Sequence, residues 1–112
     1  MKLAEAIALG IVALAPTSAS SRTMGEMMQH CINATIPEAH SSPYMQGRCI
    51  GAVEGIYYIA GSITVCAPSG ITLGDLTRHV VIFAANNPHL NNKSFKEVAL
   101  VALTHKFPCQ RT

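Results

Sequence analysis

No tryptophan occurs in these 112 residues, and three tyrosines with three phenylalanines are the whole aromatic complement. With no rings interleaved among basic residues, the chain offers no platform on which single-stranded nucleic acid stacks. Charge is sparse as well, only 12% of residues being Asp, Glu, Lys or Arg. Arg22, Arg48, Arg78, Lys93, Lys96, Lys106 and Arg111 are scattered rather than striped, so the electrostatic footprint of a nucleic-acid binder is missing too. Nor is there a C-x-x-C pair. Cys31, Cys49, Cys66 and Cys109 are spread along the chain, which argues against a zinc site. His30, His40, His79, His89 and His105 never fall at H-x-x-x-H spacing, and none forms a recognisable nucleophile and base arrangement with a cysteine. The reading is therefore of a protein without catalytic residues, metal or cofactor.

The N-terminus differs from the rest. Lys2 precedes an apolar run from Ala6 to Ala15, and Pro16, Thr17, Ser18, Ala19 and Ser20 then supply small residues suited to cleavage. This pattern predicts a secretory signal over residues 1–19 and one domain over residues 20–112, about 93 mature residues if cleavage falls near Ala19. The competing reading is an N-terminal helix kept in the fold, and Glu5, an acid inside the leader, speaks for it. Export to the periplasm agrees with the cysteines, since an even number of thiols entering an oxidising compartment favours disulfides.

Four helix starts are legible. Thr23 with Glu26, Thr72 with Asp75 and Ser94 with Glu97 each have the capping-box spacing, the second weakened by the shorter Asp side chain. Ser42 followed by Pro43 is the fourth. The expected helices run from Met24 to about Asn33, Pro43 to about Val65, Leu73 to about Asn86, and Phe95 to about Lys106. The first carries a stripe of Met24, Met27, Met28 and Cys31, and the third a stripe of Leu73, Leu76, Val80 and Phe83 with Arg78 turned outward. The second, apolar nearly all round, is expected to be the central and most buried helix. Gly47, Gly51 and Gly55 form a smooth ridge along it. A membrane span is disfavoured there by Glu54 and by length. The fourth helix is apolar on more than one face, so part of it is expected to lie against a partner or a second copy. One of the adjacent tyrosines, Tyr57 and Tyr58, is a candidate for such a seam, with core packing the competing reading.

If the second helix were continuous, Cys49 and Cys66 would lie about 25 Å apart, beyond the ~7 Å limit between the Cα atoms of a cystine. In an antiparallel bundle the remaining cysteines meet at opposite poles as Cys31 with Cys49 and Cys66 with Cys109. The fold class predicted is all-α, a small four-helix antiparallel bundle braced by those two disulfides.

Five stretches, "GEMMQHC", "GRCIGAVEGI", "CAPSGITLGDL", Pro88 opening the next loop, and "VALVALTHKFPC", resemble the Tai/Rap immunity proteins of bacterial type VI secretion systems. The resemblance spans Gly25 to Cys109. Its most specific parts are Cys66, Pro68, Gly70, Thr72 and Gly74 in that order, and the closing Phe107, Pro108 and Cys109. It implies a periplasmic helical protein, often a homodimer, that binds and blocks a peptidoglycan amidase effector and has no chemistry of its own. Such blocking calls for a protrusion that enters a cleft, and the polar turn between the third and fourth helices is the candidate, with Asn87, His89, Asn91, Asn92 and Lys93 as contact residues. The family carries several charges in this turn, whereas here it is mostly asparagine. A solvated connector is the plainer reading of so Asn-rich a turn. The alternative function is a small periplasmic helical chaperone or stress protein. Glu26, Glu38, Glu54, Asp75 and Glu97 provide little of the carboxylate trigger that acid-activated chaperones need.

Overall fold

The computed structural model describes residues 22–36 and 42–110; the expected signal over 1–19 lies outside them. Four α-helices occur: α1 (Met24–Ala34), α2 (Pro43–Ala60), α3 (Leu73–Asn86) and α4 (Phe95–Lys106), with a 3₁₀ turn, Pro88–Leu90, before α4.

Local chemistry accounts for the starts. Thr23 Oγ1 accepts the Glu26 amide at 3.2 Å and the Glu26 carboxylate accepts the Thr23 amide at 3.1 Å, a complete capping box. Those hydrogen bonds, the backbone one first, hold the Glu26 carboxyl below its ordinary range. Ser42 caps α2 through the Met45 amide, with Pro43 in its first turn. Thr72 caps α3 through the Asp75 amide at 3.0 Å. The fourth start departs from expectation. Ser94 makes no side-chain cap; its neighbourhood is occupied by an antiparallel bridge to Thr23, and the Phe95 amide donates to the Arg22 carbonyl at 2.8 Å.

Helix α2 ends five residues earlier than the expected Val65. The Gly61 amide donates to the Tyr57 carbonyl at 2.7 Å, and a Cβ at Gly61 would sit 2.7 Å from that same oxygen, so the chain approaches its own helix more closely than any other residue permits. Ser62 then takes a positive φ of 66° and the chain turns back on itself, with the Ser62 amide donating to the Val65 carbonyl. The apolar run continues past Ala60, but hydrophobicity carries no information about backbone direction, and Gly61 decides it.

The core is a single cluster in which Met24, Met27 and Cys31 of α1 meet Cys49 and Val53 of α2, Leu76, Val80 and Ala84 of α3, and Phe95, Val98, Ala99, Ala102 and Leu103 of α4. Thr77 is the one buried polar side chain among the described residues, its hydroxyl donating to the Leu73 carbonyl at 2.8 Å. The expectation that α2 is the central, most buried helix is corrected, because α4 buries more of its length. Only Cys49, Val53 and Ala60 of α2 are fully buried, whereas Tyr44, Tyr58 and Ile59 are 72%, 88% and 74% exposed. Tyr57 packs against the core. Of α4's second face, Leu100 and Val101 remain exposed.

Both cystines join the residues expected. Cys31 and Cys49 have Cα atoms 5.3 Å apart and are fully buried, and Cys66 and Cys109 lie 4.9 Å apart toward the surface. At the second staple the Cys66 amide donates to the Phe107 carbonyl at 2.7 Å and Val65 bridges Pro108. Ahead of α3, Gly70 takes a φ of +86°, the left-handed conformation that completes the Pro68–Ser69–Gly70 turn. The turn holds a disulfide half rather than an activated thiol.

Candidate functional site

The turn between α3 and α4 is short, polar and held in place at both ends. It leaves α3 through Asn87, whose amide donates to the Ala84 carbonyl and whose Nδ2 donates to the Phe83 carbonyl at 2.8 Å, so this side chain is spent on capping its own helix. Asn87 therefore works inward and is half-buried. Pro88 to Leu90 form the 3₁₀ turn, and Leu90 packs its side chain against the core. His89, Asn91, Asn92 and Lys93 face solvent.

The other end is clamped by α1. The first amides of a helix have no partner within it, and here the loop supplies them: Met24 donates to the Lys93 carbonyl at 2.8 Å and Gly25 to the Asn91 carbonyl at 2.9 Å. Within the loop the Asn91 amide reaches the Pro88 carbonyl and the Lys93 amide the Leu90 carbonyl. The loop backbone is therefore anchored at both ends while the side chains of His89, Asn91, Asn92 and Lys93 are exposed. Gly25 keeps the contact short, because a Cβ there would come within 3.1 Å of the Asn91 oxygen and push it back by a few tenths of an ångström.

Sequence reasoning missed the ground around the loop. Beside it, Leu90 and Lys93 join Glu97, Val98 and Val101 of α4 around a shallow depression of about 250 Å³. Val101 is 53% exposed there. The Glu97 and Val101 spacing of four was the available signal, since it puts both on one face of α4. On the other side, Asn86 and Asn87 border a groove of about 570 Å³ lined also by His79, Phe83 and His105. The His79 ring meets Phe107 edge-on at 5.2 Å, and burial, with Lys106 adding repulsion, pushes its pKa below the ordinary histidine value.

All four cysteines are in disulfides, and among the described residues no three His, Cys, Asp or Glu side chains gather where they could hold a metal. No described helix is long and apolar enough to cross a membrane. A stapled helical scaffold that presents an anchored loop of hydrogen-bonding side chains defines a class, the small binding domain. The family described as Rap1a immunity proteins matches residues 23–109, and the chain belongs to it. It is thus an immunity protein, which acts by binding an effector and is not an enzyme. No curated protein matches the chain, and no solved structure does.

Proposed function

We propose that this protein is a periplasmic immunity protein of a type VI secretion system, and that it neutralises a peptidoglycan amidase effector by inserting the loop of residues 87–93 into the enzyme's cleft. The observation that carries the reading is the clamp on that loop, in which the Asn91 and Lys93 carbonyls receive the first amides of α1. A loop already held in one conformation loses little entropy on binding, which is how preorganised inhibitors gain affinity. Its exposed asparagines suit an amide-cleaving enzyme. Each carboxamide offers a donor pair and an acceptor, the same groups as the bond such an enzyme recognises. The two cystines and the family membership support action in an oxidising, extracytoplasmic compartment.

The test is co-expression in the periplasm with candidate peptidoglycan amidases, followed by calorimetry on each purified pair. Protection from lysis by the wild type, and its loss in Asn91→Ala/Asn92→Ala/Lys93→Ala at unchanged thermal stability, is the expected result. Full protection by the triple variant removes the loop from the mechanism. Undiminished lysis with every cognate amidase removes the amidase as target, and suppression of client aggregation at low pH by the pure protein favours a chaperone instead.

A further inference from the structure

The fold gathers cations that the sequence scatters. Of the eight lysines and arginines in the chain, Arg22, Arg48 and Lys96 border one groove of about 330 Å³, and no Asp or Glu lines it. The groove lies between the approach to α1, the first half of α2 and the start of α4. Like charges facing one cavity repel one another, so the arrangement is costly until an anion fills it. None of the three has an ionic partner, the one ion pair among the described residues being Asp75 with Arg78. Arg48 has the Tyr44 ring 6.0 Å from its guanidinium, a contact that leaves its N–H donors unused. Glu26 feels the Arg22 charge only as the smallest influence on it, and its carboxylate is already held by the Thr23 amide and hydroxyl at 3.1 and 3.0 Å. The Nε of Arg22 is wholly buried and makes no hydrogen bond. Folded proteins rarely leave such a donor without an acceptor. Ser94 adds to the set: it makes no side-chain cap, so its hydroxyl is uncommitted and the positive end of α4 opens at the groove.

We infer that this groove is a carboxylate-binding site, in which Arg22, Arg48 and Lys96 hold an acid group carried on a short aliphatic stem. The apolar wall decides between anions. Met27 and Phe95, 4% and 3% exposed, line the same groove as the cations. A phosphate presents oxygens on every side, and some of them would face these apolar groups unpaired. A carboxylate instead turns both oxygens to the planar guanidinium donors and lays its methylenes against Met27 and Phe95. Two sources share this chemistry, a free small dicarboxylate and the side chain of an Asp or Glu on a bound protein. Position makes the second source accessible. Ser94 and Lys96 follow directly on the loop of residues 87–93, so a protein that receives the loop brings its own surface to the groove. The site itself stands whether or not an amidase is the target.

The arginine Nε–H resonances of the isotope-labelled protein, with both cystines formed, test the site. Glutarate, added at ionic strength held constant with chloride, is expected to shift the Arg22 signal saturably, with a Kd on the order of 1–10 mM. Inorganic phosphate should bind about fivefold more weakly or worse. Arg48→Gln and Lys96→Gln should each raise the glutarate Kd by roughly three- to tenfold at an unchanged thermal midpoint. Arg22→Lys should do the same although it keeps the charge, because lysine lacks the planar fork. No saturable shift up to about 100 mM glutarate overturns the site. A titration indifferent to all three variants overturns it too, and phosphate binding more tightly than glutarate overturns the choice of carboxylate. Repeating the titration in complex with whichever candidate amidase the protein neutralises separates the sources. An Arg22 signal already shifted, with glutarate excluded, assigns the acid to the bound protein, whereas an unchanged glutarate Kd assigns a free carboxylate; either result supports the site. Asn91→Ala/Asn92→Ala/Lys93→Ala should leave the glutarate Kd of the free protein unchanged, so failure of the loop and failure of the groove are read separately.

Discussion

Removing the two disulfides one at a time sets ring length against burial. In the unfolded chain Cys31–Cys49 closes a ring of 18 residues and Cys66–Cys109 one of 43. Loop-closure entropy assigns about 3 kcal/mol to the shorter and about 4 kcal/mol to the longer. Packing reverses the order. Cys31 and Cys49 are both 0% exposed in the middle of the core, whereas Cys66 is exposed and Cys109 half-buried. Deleting two core sulfurs adds roughly 1 kcal/mol each for lost contacts and the space left behind, so Cys31→Ala/Cys49→Ala should cost about 5 kcal/mol against about 4 for Cys66→Ala/Cys109→Ala. Either loss rivals the whole stability of a small domain. Urea unfolding of both double variants measures the difference. Partial reduction gives an independent order: dithiothreitol should open Cys66–Cys109 first, since a thiolate reaches Cys31–Cys49 only after the core parts. A larger loss for the 66 and 109 pair, or simultaneous opening of both cystines, would refute the argument that burial outweighs ring length here.

Smaller perturbations probe the loop and its clamp. Thr23→Ala removes the hydroxyl that caps α1 and should cost roughly 1 kcal/mol, read from thermal or urea unfolding. Gly25→Ala presses a methyl against the Asn91 carbonyl. It should change global stability by less than about 1 kcal/mol, because a helix-propensity gain offsets a lengthened hydrogen bond, while amide exchange at Met24 and Gly25 quickens and effector affinity falls. His79 titrates below its ordinary value in the folded state, so the unfolded chain binds the extra proton first as pH falls. That contribution to stability is fully present above the unfolded histidine pKa and is lost as pH drops below it, so urea midpoints should decline from pH 7.5 to pH 5.5. His79→Gln should flatten the decline. The depressed carboxyls of Glu26 and Asp75 act in the same direction at lower pH, their contribution being lost as pH falls through their folded values.

What the sequence made legible was mostly local. Thr23, Ser42 and Thr72 announce helix starts because a hydroxyl and an amide three residues on are enough to make the cap, and each cap is present. Ser94 carries the same spacing without capping, since the backbone pairing of Thr23 with Ser94 and of Phe95 with Arg22 is a contact between distant segments that no window around Ser94 contains. The loop shows the same division. Its polarity and its exposed His89, Asn91, Asn92 and Lys93 could be read directly, but the clamp that holds it comes from α1, more than sixty residues earlier. Asn87, grouped with the contact residues by composition alone, is a helix cap.

The misreading of α2 has a different origin, and the cystine corrects it. By its pattern alone, a helix of 18 residues that is apolar nearly all round demands a central position, yet a domain of this size has too little interior to surround one, and some face must meet water. Once Cys49 is tied to the fully buried Cys31, the rotation of the helix is settled: Val53, Ile56 and Ala60, at steps of four, three and four, follow Cys49 into or against the core. Gly51, two residues and about 200° from Cys49, must then point away. Glycines have no side chain to bury, so nothing opposes that outcome. Tyr44, Tyr58 and Ile59 do have apolar surface to hide, and their exposure is the part of the free energy that folding of one chain leaves unclaimed. Folding of the single chain cannot recover it, because the rotation that buries Cys49 and Val53 is the one that turns these side chains to water.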